Sequence, residues 1–331
     1  MTLDWSRLQD VLIICIPVFA IIALGKILER RGVLNDDHRN FANWLTYNFA
    51  LPALIFRGVA QQRLADLINI PLVVGPLCGI LVVTVIFILL ARVLKLRGSL
   101  AAAFVFGTFW ANVSYMGFPL ATNAYGSQGM SLAAVYNGFV MPVFLILAFS
   151  LIAVYGGGTH GSFVDKIKRA VINPIVLAAL LGILTALAAE LFRDDQGGLI
   201  MPGVIHASLA ITDSFLKLIG GMGLPLALLA VGSSMHFAQI RQRIGILTLV
   251  LTGKLILLPL LVLVAIKLFF PDTDPTATAV AVILSATPNA VASFVVSRQI
   301  GVEEGFVSSM LVISTALSVV TLPAWLYIVL P

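Results

Sequence analysis

Trp110-Ala111-Asn112-Val113-Ser114-Tyr115-Met116-Gly117-Phe118-Pro119 lies in the middle of an otherwise apolar run covering residues 100–125. A run of that length reads as a helix crossing a bilayer, where no water satisfies freed backbone groups. Asn112, Gly117 and Pro119 oppose an unbroken helix. Proline lacks the amide donor and clashes with the preceding turn, and asparagine competes for backbone hydrogen bonds. A second stretch, Ser285-Ala286-Thr287-Pro288-Asn289-Ala290-Val291-Ala292-Ser293, repeats this chemistry inside another apolar run. Two helices broken at corresponding places point to a membrane carrier with its site at the breaks.

The surrounding chain agrees. Its 331 residues are 60% hydrophobic and 11% charged, whereas a soluble domain carries about 25% charged residues. No stretch between apolar runs is long enough to bury a core of its own. The net charge of +5 does not indicate nucleic acid, because the basic residues are scattered at the ends of apolar runs instead of clustering. Cys15 and Cys78 lie inside such runs and read as small buried side chains. The first run, residues 11–28, is too long for a signal-peptide core and ends without a small-residue cleavage site, so it reads as the first membrane helix.

At roughly 20 apolar residues per crossing, ten spans are expected, near residues 9–28, 40–60, 70–93, 100–124, 130–154, 171–191, 208–235, 244–268, 277–298 and 305–329. The seventh also reads as a short interfacial helix followed by a crossing. Lys26, Arg30, Arg31, Arg39, Arg92, Lys95, Arg97, Lys166, Lys168, Arg169, Arg241, Arg243 and Arg298 fall on one side of this arrangement. Only Arg7, Arg57, Arg63, Arg193 and Lys267 fall on the other. The bias places both termini outside the cytoplasmic membrane. Five spans per half is an odd number, so a duplicated half inserts upside down. Phe49-Ala50-Leu51-Pro52-Ala53-Leu54 resembles Met222-Gly223-Leu224-Pro225-Leu226-Ala227, and Asn112 corresponds to Asn289 at a similar offset. The expected fold is therefore an all-α integral membrane protein of two inverted five-helix repeats, residues 1–155 and 171–331, joined by a cytoplasmic linker at 156–170, with broken helices 4 and 9 crossing.

At the breaks, free amides and half-helix N-termini can bind an anion, while carbonyls and neutral side-chain oxygens can hold a cation. Asn112, Ser114 and Tyr115 on one side and Thr287, Asn289 and Ser293 on the other supply such groups. The bland alternative is that Pro119 and Pro288 only kink helices. Lys254, near the middle of span 8, either attracts an anion, carries a coupling proton, snorkels along its stem, or is tied to backbone carbonyls. Asp213 and Lys217, four apart, are expected to pair on one helix face. Arg298, Glu303 and Glu304 read as surface charges. Ser314, Thr315 and Ser318 share one face of span 10 and suit helix packing or an ion site; Gly75 and Gly79 suit packing. There is no phosphate-binding Gly-Lys-Ser or Gly-Lys-Thr loop, and His38, His160, His206 and His236 have no metal-ligand spacing. An enzyme is not expected, nor any cofactor beyond sodium or a proton as coupling ion.

Asn112-Val113-Ser114-Tyr115-Met116-Gly117-Phe118-Pro119-Leu120, Thr287-Pro288-Asn289-Ala290-Val291-Ala292-Ser293-Phe294 and Ile313-Ser314-Thr315-Ala316-Leu317-Ser318-Val319-Val320-Thr321-Leu322-Pro323 resemble segments of the auxin efflux carrier family. The short central loop is similar to that of microbial members, among them malonate and malate transporters. The resemblance implies a fold like that of the bile acid sodium symporters. Spans 1, 2, 6 and 7 would form a scaffold, with homodimerisation through it, and spans 3–5 and 8–10 a transport domain that moves as an elevator. Substrate would then contact Asn112, Val113, Ser114, Tyr115, Pro119, Thr287, Pro288 and Asn289, with Leu51 and Leu224 facing it from the scaffold. Many family members have Asn-Thr-Gly where this chain has Asn112-Val113-Ser114. The expected function is transport of a small organic anion, either a carboxylate or dicarboxylate such as malonate or malate or an auxin-like aromatic acid. The alternative is a passive channel or a ligand sensor in the bilayer.

Overall fold

Helices account for all the regular structure in the computed structural model, which describes residues 5–61, 69–155, 174–190, 203–233, 243–290, 293 and 303–330. The expected linker 156–170 lies outside the described residues, as do Arg63, Arg193, Arg241, Arg298, His160, His236, Val291 and Ala292. In chain order the helices are α1 (Trp5–Arg30), α2 (Asp36–Leu45), α3 (Leu51–Ala60), α4 (Ile70–Val93), α5 (Gly98–Phe106), α6 (Phe118–Tyr155), α7 (Pro174–Glu190), α8 (Gly203–Gly221), α9 (Gly223–Ser233), α10 (Ile244–Thr252), α11 (Leu258–Phe269), α12 (Pro275–Ala286) and α13 (Glu304–Val329). Among the described residues, Gln9–Arg30, Ile70–Val93, Val113–Ala148, Ser208–Ser233, Ile244–Phe269 and Gly305–Val329 are long and apolar enough to cross a membrane. Their outward side chains remain apolar, as Ile13, Ile16, Val85 and Leu89 show, which suits lipid rather than water.

Local chemistry explains the interruptions. α6 is divided at Tyr125 and Gly126, the latter at φ 59° and ψ −140°, a conformation that only glycine adopts without strain. Three further turns widen into π geometry, at Thr46–Ala50, Val113–Gly117 and Gly253–Leu257. Each directly precedes an X-Pro step: Leu51-Pro52, Phe118-Pro119 and Leu258-Pro259. The amide ahead of each proline reaches back five residues, from Leu51 to Thr46, Phe118 to Val113 and Leu258 to Gly253. The wider turn makes room for the proline ring without losing the helix.

Packing pairs the helices across the chain. α1 lies against α9 and α13, α3 against α7 and α8, α4 against α11, and α12 against α6, α11 and α13. The α1–α9 contact is backbone to backbone: a Cβ on Gly232 would stand 1.9 Å from the Ile22 carbonyl oxygen, and one on Gly25 2.3 Å from that of Leu229. Gly75 and Gly79 let α4 close on Ile266 and Val262 of α11, the packing role expected of them.

Polar side chains tie helix ends. Arg57 donates to both Asp213 oxygens, at 2.7 and 3.2 Å, and Gln61 adds a third bond at 2.7 Å. Asp213 thus joins α8 to α3 instead of pairing with Lys217 along its own helix. A forked guanidinium from a neighbouring helix matches the carboxylate better than an ammonium one turn away. Arg39 caps the C-terminus of α9 through the Ser233 carbonyl at 3.2 Å. Arg243 bonds both Glu303 oxygens at 3.1 and 2.9 Å, joining the starts of α10 and α13.

Candidate functional site

The first break opens earlier than the expected Asn112. α5 ends at Phe106, and residues 107–112 run without α-helix before the π turn. The second begins where α12 ends at Ala286 and Thr287 turns to ψ 148°. A threonine closes each of the two half-helices: Thr108 Oγ1 donates to Val105 O and Thr287 Oγ1 to Leu284 O, each at 2.7 Å. These bonds satisfy carbonyls left without an intrahelical partner.

The two breaks then satisfy each other. Asn112 N donates to Pro288 O at 2.8 Å and Ala290 N to Trp110 O at 3.4 Å, so that Ala111 and Asn289 form an antiparallel bridge. Asn289 completes the joint. Its backbone N donates to Ser314 Oγ at 3.1 Å and its Nδ2 to Gly107 O at 2.8 Å. At this depth a joint without such bonds would leave backbone groups unpaired in an apolar interior.

A cavity of about 50 Å³ lies against the first break, lined in part by Tyr47, Asn112, Val113, Ser114, Tyr115 and Asn137, with Trp110, Ala111, Met141 and Ala290 completing its wall. No charged side chain lines it. The Asn112 Nδ2 is buried without a hydrogen-bond partner. Asn137, also on the cavity wall, is 3% exposed. The first bonds of the following helical segment run from Met116 N and Gly117 N to Asn112 O. The amides of Val113, Ser114 and Tyr115 therefore belong to the open N-terminal turn, which carries the positive end of the helix dipole. Free donors and a helix N-terminus on one small cavity favour a carboxylate or another compact anion.

The remaining expected residues do not line this cavity. Pro119 is buried in the first turn of α6. Leu51 is fully buried, and its backbone amide lies 3.5 Å from a Cβ built on Gly223, beside Leu224, so the two Leu-Pro steps meet where α3 packs on α9. Thr287, Pro288 and Asn289 build the joint. Ser293 donates to Ala290 O, Ser314 and Thr315 to Leu311 O, and Ser318 to Thr315 O. Lys254 is fully buried and donates to Ser285 O at 2.6 Å. Tyr47 and Asn137 were not singled out from sequence. A lone asparagine within span 5 was the available signal, since a polar amide in a membrane helix needs a reason.

The sequence is similar to two named relatives. An "Uncharacterized transporter" of Methanothermobacter thermautotrophicus is 27% identical over 314 residues, covering 94% of this chain and 95% of the relative. A "Putative malonate transporter" of Rhizobium meliloti is 24% identical over 319 residues, covering 95% and 94%. Both matches run through the two breaks and the helices between them. The family model described as "Membrane transport protein" matches residues 10–326, and the chain belongs to that family, the auxin efflux carrier type of multi-pass membrane transport proteins.

Proposed function

We propose that this protein is a carrier of a small organic anion, a carboxylate or dicarboxylate, working by elevator-type alternating access. The observation that carries the reading is the cavity where the unpartnered Asn112 Nδ2, Asn137 and an open half-helix N-terminus converge. These groups attract an anion without a fixed positive charge, so they can release it again on the far side. The small volume suits a carboxylate head more than an aromatic ring system. The name of the Rhizobium relative makes malonate the first substrate to try.

In this reading the ten spans form two inverted repeats, and the packing supports that symmetry. Exchanging the halves turns the α1–α9 contact into α7–α3 and the α1–α13 contact into α7–α6, and all four occur. The α4–α11 contact, the Ala111–Asn289 bridge and the Thr108 and Thr287 caps map onto their own counterparts. Helices α1–α3 and α7–α9 make the scaffold; α4–α6 and α10–α13 make the transport domain. Tyr47 then faces the anion from the scaffold, with Asn112 and Asn137 on the moving side. The orientation has both termini outside a cytoplasmic membrane, as the excess of lysine and arginine on one side of the span arrangement suggests. An apolar hollow of about 470 Å³ on the scaffold, bordered by Trp44, Phe49 and Phe215, supports homodimerisation there.

Counterflow in proteoliposomes tests the carrier. Labelled malonate should exchange saturably, compete with malate better than with an indole acid, and fail in Asn112→Ala. Non-saturable flux would identify a channel, and unchanged exchange in both Asn112→Ala and Asn137→Ala would remove the site.

A further inference from the structure

The second half-helix poses a problem that the substrate cavity does not address. α12 ends at Ala286 inside the protein, and the carbonyls of its last turn form the negative end of its dipole among buried residues. Thr287 covers the Leu284 carbonyl. The next carbonyl, Ser285 O, accepts from Lys254 Nζ at 2.6 Å. In the other half-helix, by contrast, Gly107 O receives only the neutral carboxamide of Asn289.

Lys254 is 0% exposed, and the buried polar side chains among the described residues include no aspartate or glutamate. An ammonium in such a place is unfavourable unless a negative potential offsets the lost hydration. The C-terminal carbonyls of α12 supply that potential. The chain also builds the position deliberately. Lys254 lies in the π turn Gly253–Leu257, the Leu255 carbonyl in that turn accepts from Trp325 Nε1 at 2.8 Å, and Gly253 lets Phe87 press against the turn, where a Cβ would stand 2.4 Å from the ring. Behind the Ser285 backbone, Tyr136 OH lies 3.1 Å from Ser285 Oγ. The end of the half-helix thus presents the Ser285 and Thr287 oxygens with Tyr136 OH beside them, and half-helix C-terminal ends are where transporters with broken helices bind a coupling cation.

We infer that Lys254 is a tethered cation that fills the coupling-ion position at the end of α12, so that the anion carrier works without sodium. The inference rests on the carrier reading above. The positive charge that a bound sodium would bring and release is covalently attached, and it stays with the joint when the anion leaves. Lys254 acts through the Ser285 carbonyl and the joint and does not touch the anion, which makes it a positioning residue.

The test compares the purified full-length protein in sodium chloride and in choline chloride of equal ionic strength, by thermal unfolding in detergent and by malonate counterflow. The unaltered protein should melt at the same temperature and exchange at the same rate in both salts. Lys254→Ala should melt lower and exchange roughly tenfold slower in choline, the scale of a lost hydrogen bond to a charged group, and sodium should restore part of both. Lys254→Arg should retain the indifference to sodium. If Lys254→Ala does not fold, Lys254→Met keeps the volume of the stem and is read by the same two measurements. Sodium stabilisation of the unaltered protein, or a variant equally affected in both salts, overturns the inference. Absence of malonate exchange by the unaltered protein in either salt removes the substrate assignment instead, and the melting comparison still decides the role of Lys254.

Discussion

Asn112 N donates to Pro288 O at 2.8 Å, so the proline that stops one half-helix provides the acceptor that closes the break in the other. The two asparagines at this joint then differ in what their side chains do. Asn289 spends its amide nitrogen on Gly107 O, whereas that of Asn112 has no partner.

That difference separates two substitutions. Asn289→Ala should lower stability by about 1–3 kcal/mol, because Gly107 O is left buried without its donor. Asn112→Ala should leave stability within about 0.5 kcal/mol, as expected where no bond is lost, yet abolish malonate exchange. Thermal unfolding beside counterflow measures both, and equal destabilisation by the two variants would contradict the division of roles.

Asn137 is the second carboxamide on the cavity. Asn137→Leu preserves the approximate volume and removes the polar group. It should raise the half-saturating malonate concentration roughly tenfold, the equivalent of one hydrogen bond, with an unchanged melting temperature. An unchanged half-saturation would take Asn137 out of the site.

The α1–α9 crossing has no room for a side chain. Gly232→Ala sets a Cβ against the Ile22 carbonyl and should destabilise by about 1–3 kcal/mol or more, since two backbones must part. Gly221→Ala is the control, because nothing lies within 4 Å of its Cβ. Monodispersity and melting of the two variants should diverge.

The Arg57–Asp213 pair is partly exposed, with side chains 28% and 41% accessible, and solvent screens it. A double-mutant cycle should give a coupling of about 0.5–1 kcal/mol that falls as salt rises. The corresponding cycle for Asp213 and Lys217 should give a coupling near zero.

The sequence by itself determined the helical membrane class and the neighbourhood of both breaks. Span length, charge scarcity and the placing of Asn112, Pro119, Pro288 and Asn289 are properties of a one-dimensional pattern, read against a solvent that tolerates no free backbone. The π turns were not legible, since Pro17, Pro76, Pro142 and Pro323 stand in apolar runs that stay α-helical. Tertiary structure alone decided which groups meet. Helices packed from distant parts of the chain brought Tyr47 and Asn137 to the cavity, gave Asp213 to Arg57, and carried Lys254 to the end of α12. The bridge between Ala111 and Asn289 also turned one asparagine inward to a carbonyl and left the amide nitrogen of the other buried without a partner. No local pattern encodes that asymmetry, because both asparagines have similar neighbours in sequence and differ only in what the rest of the fold presents to them.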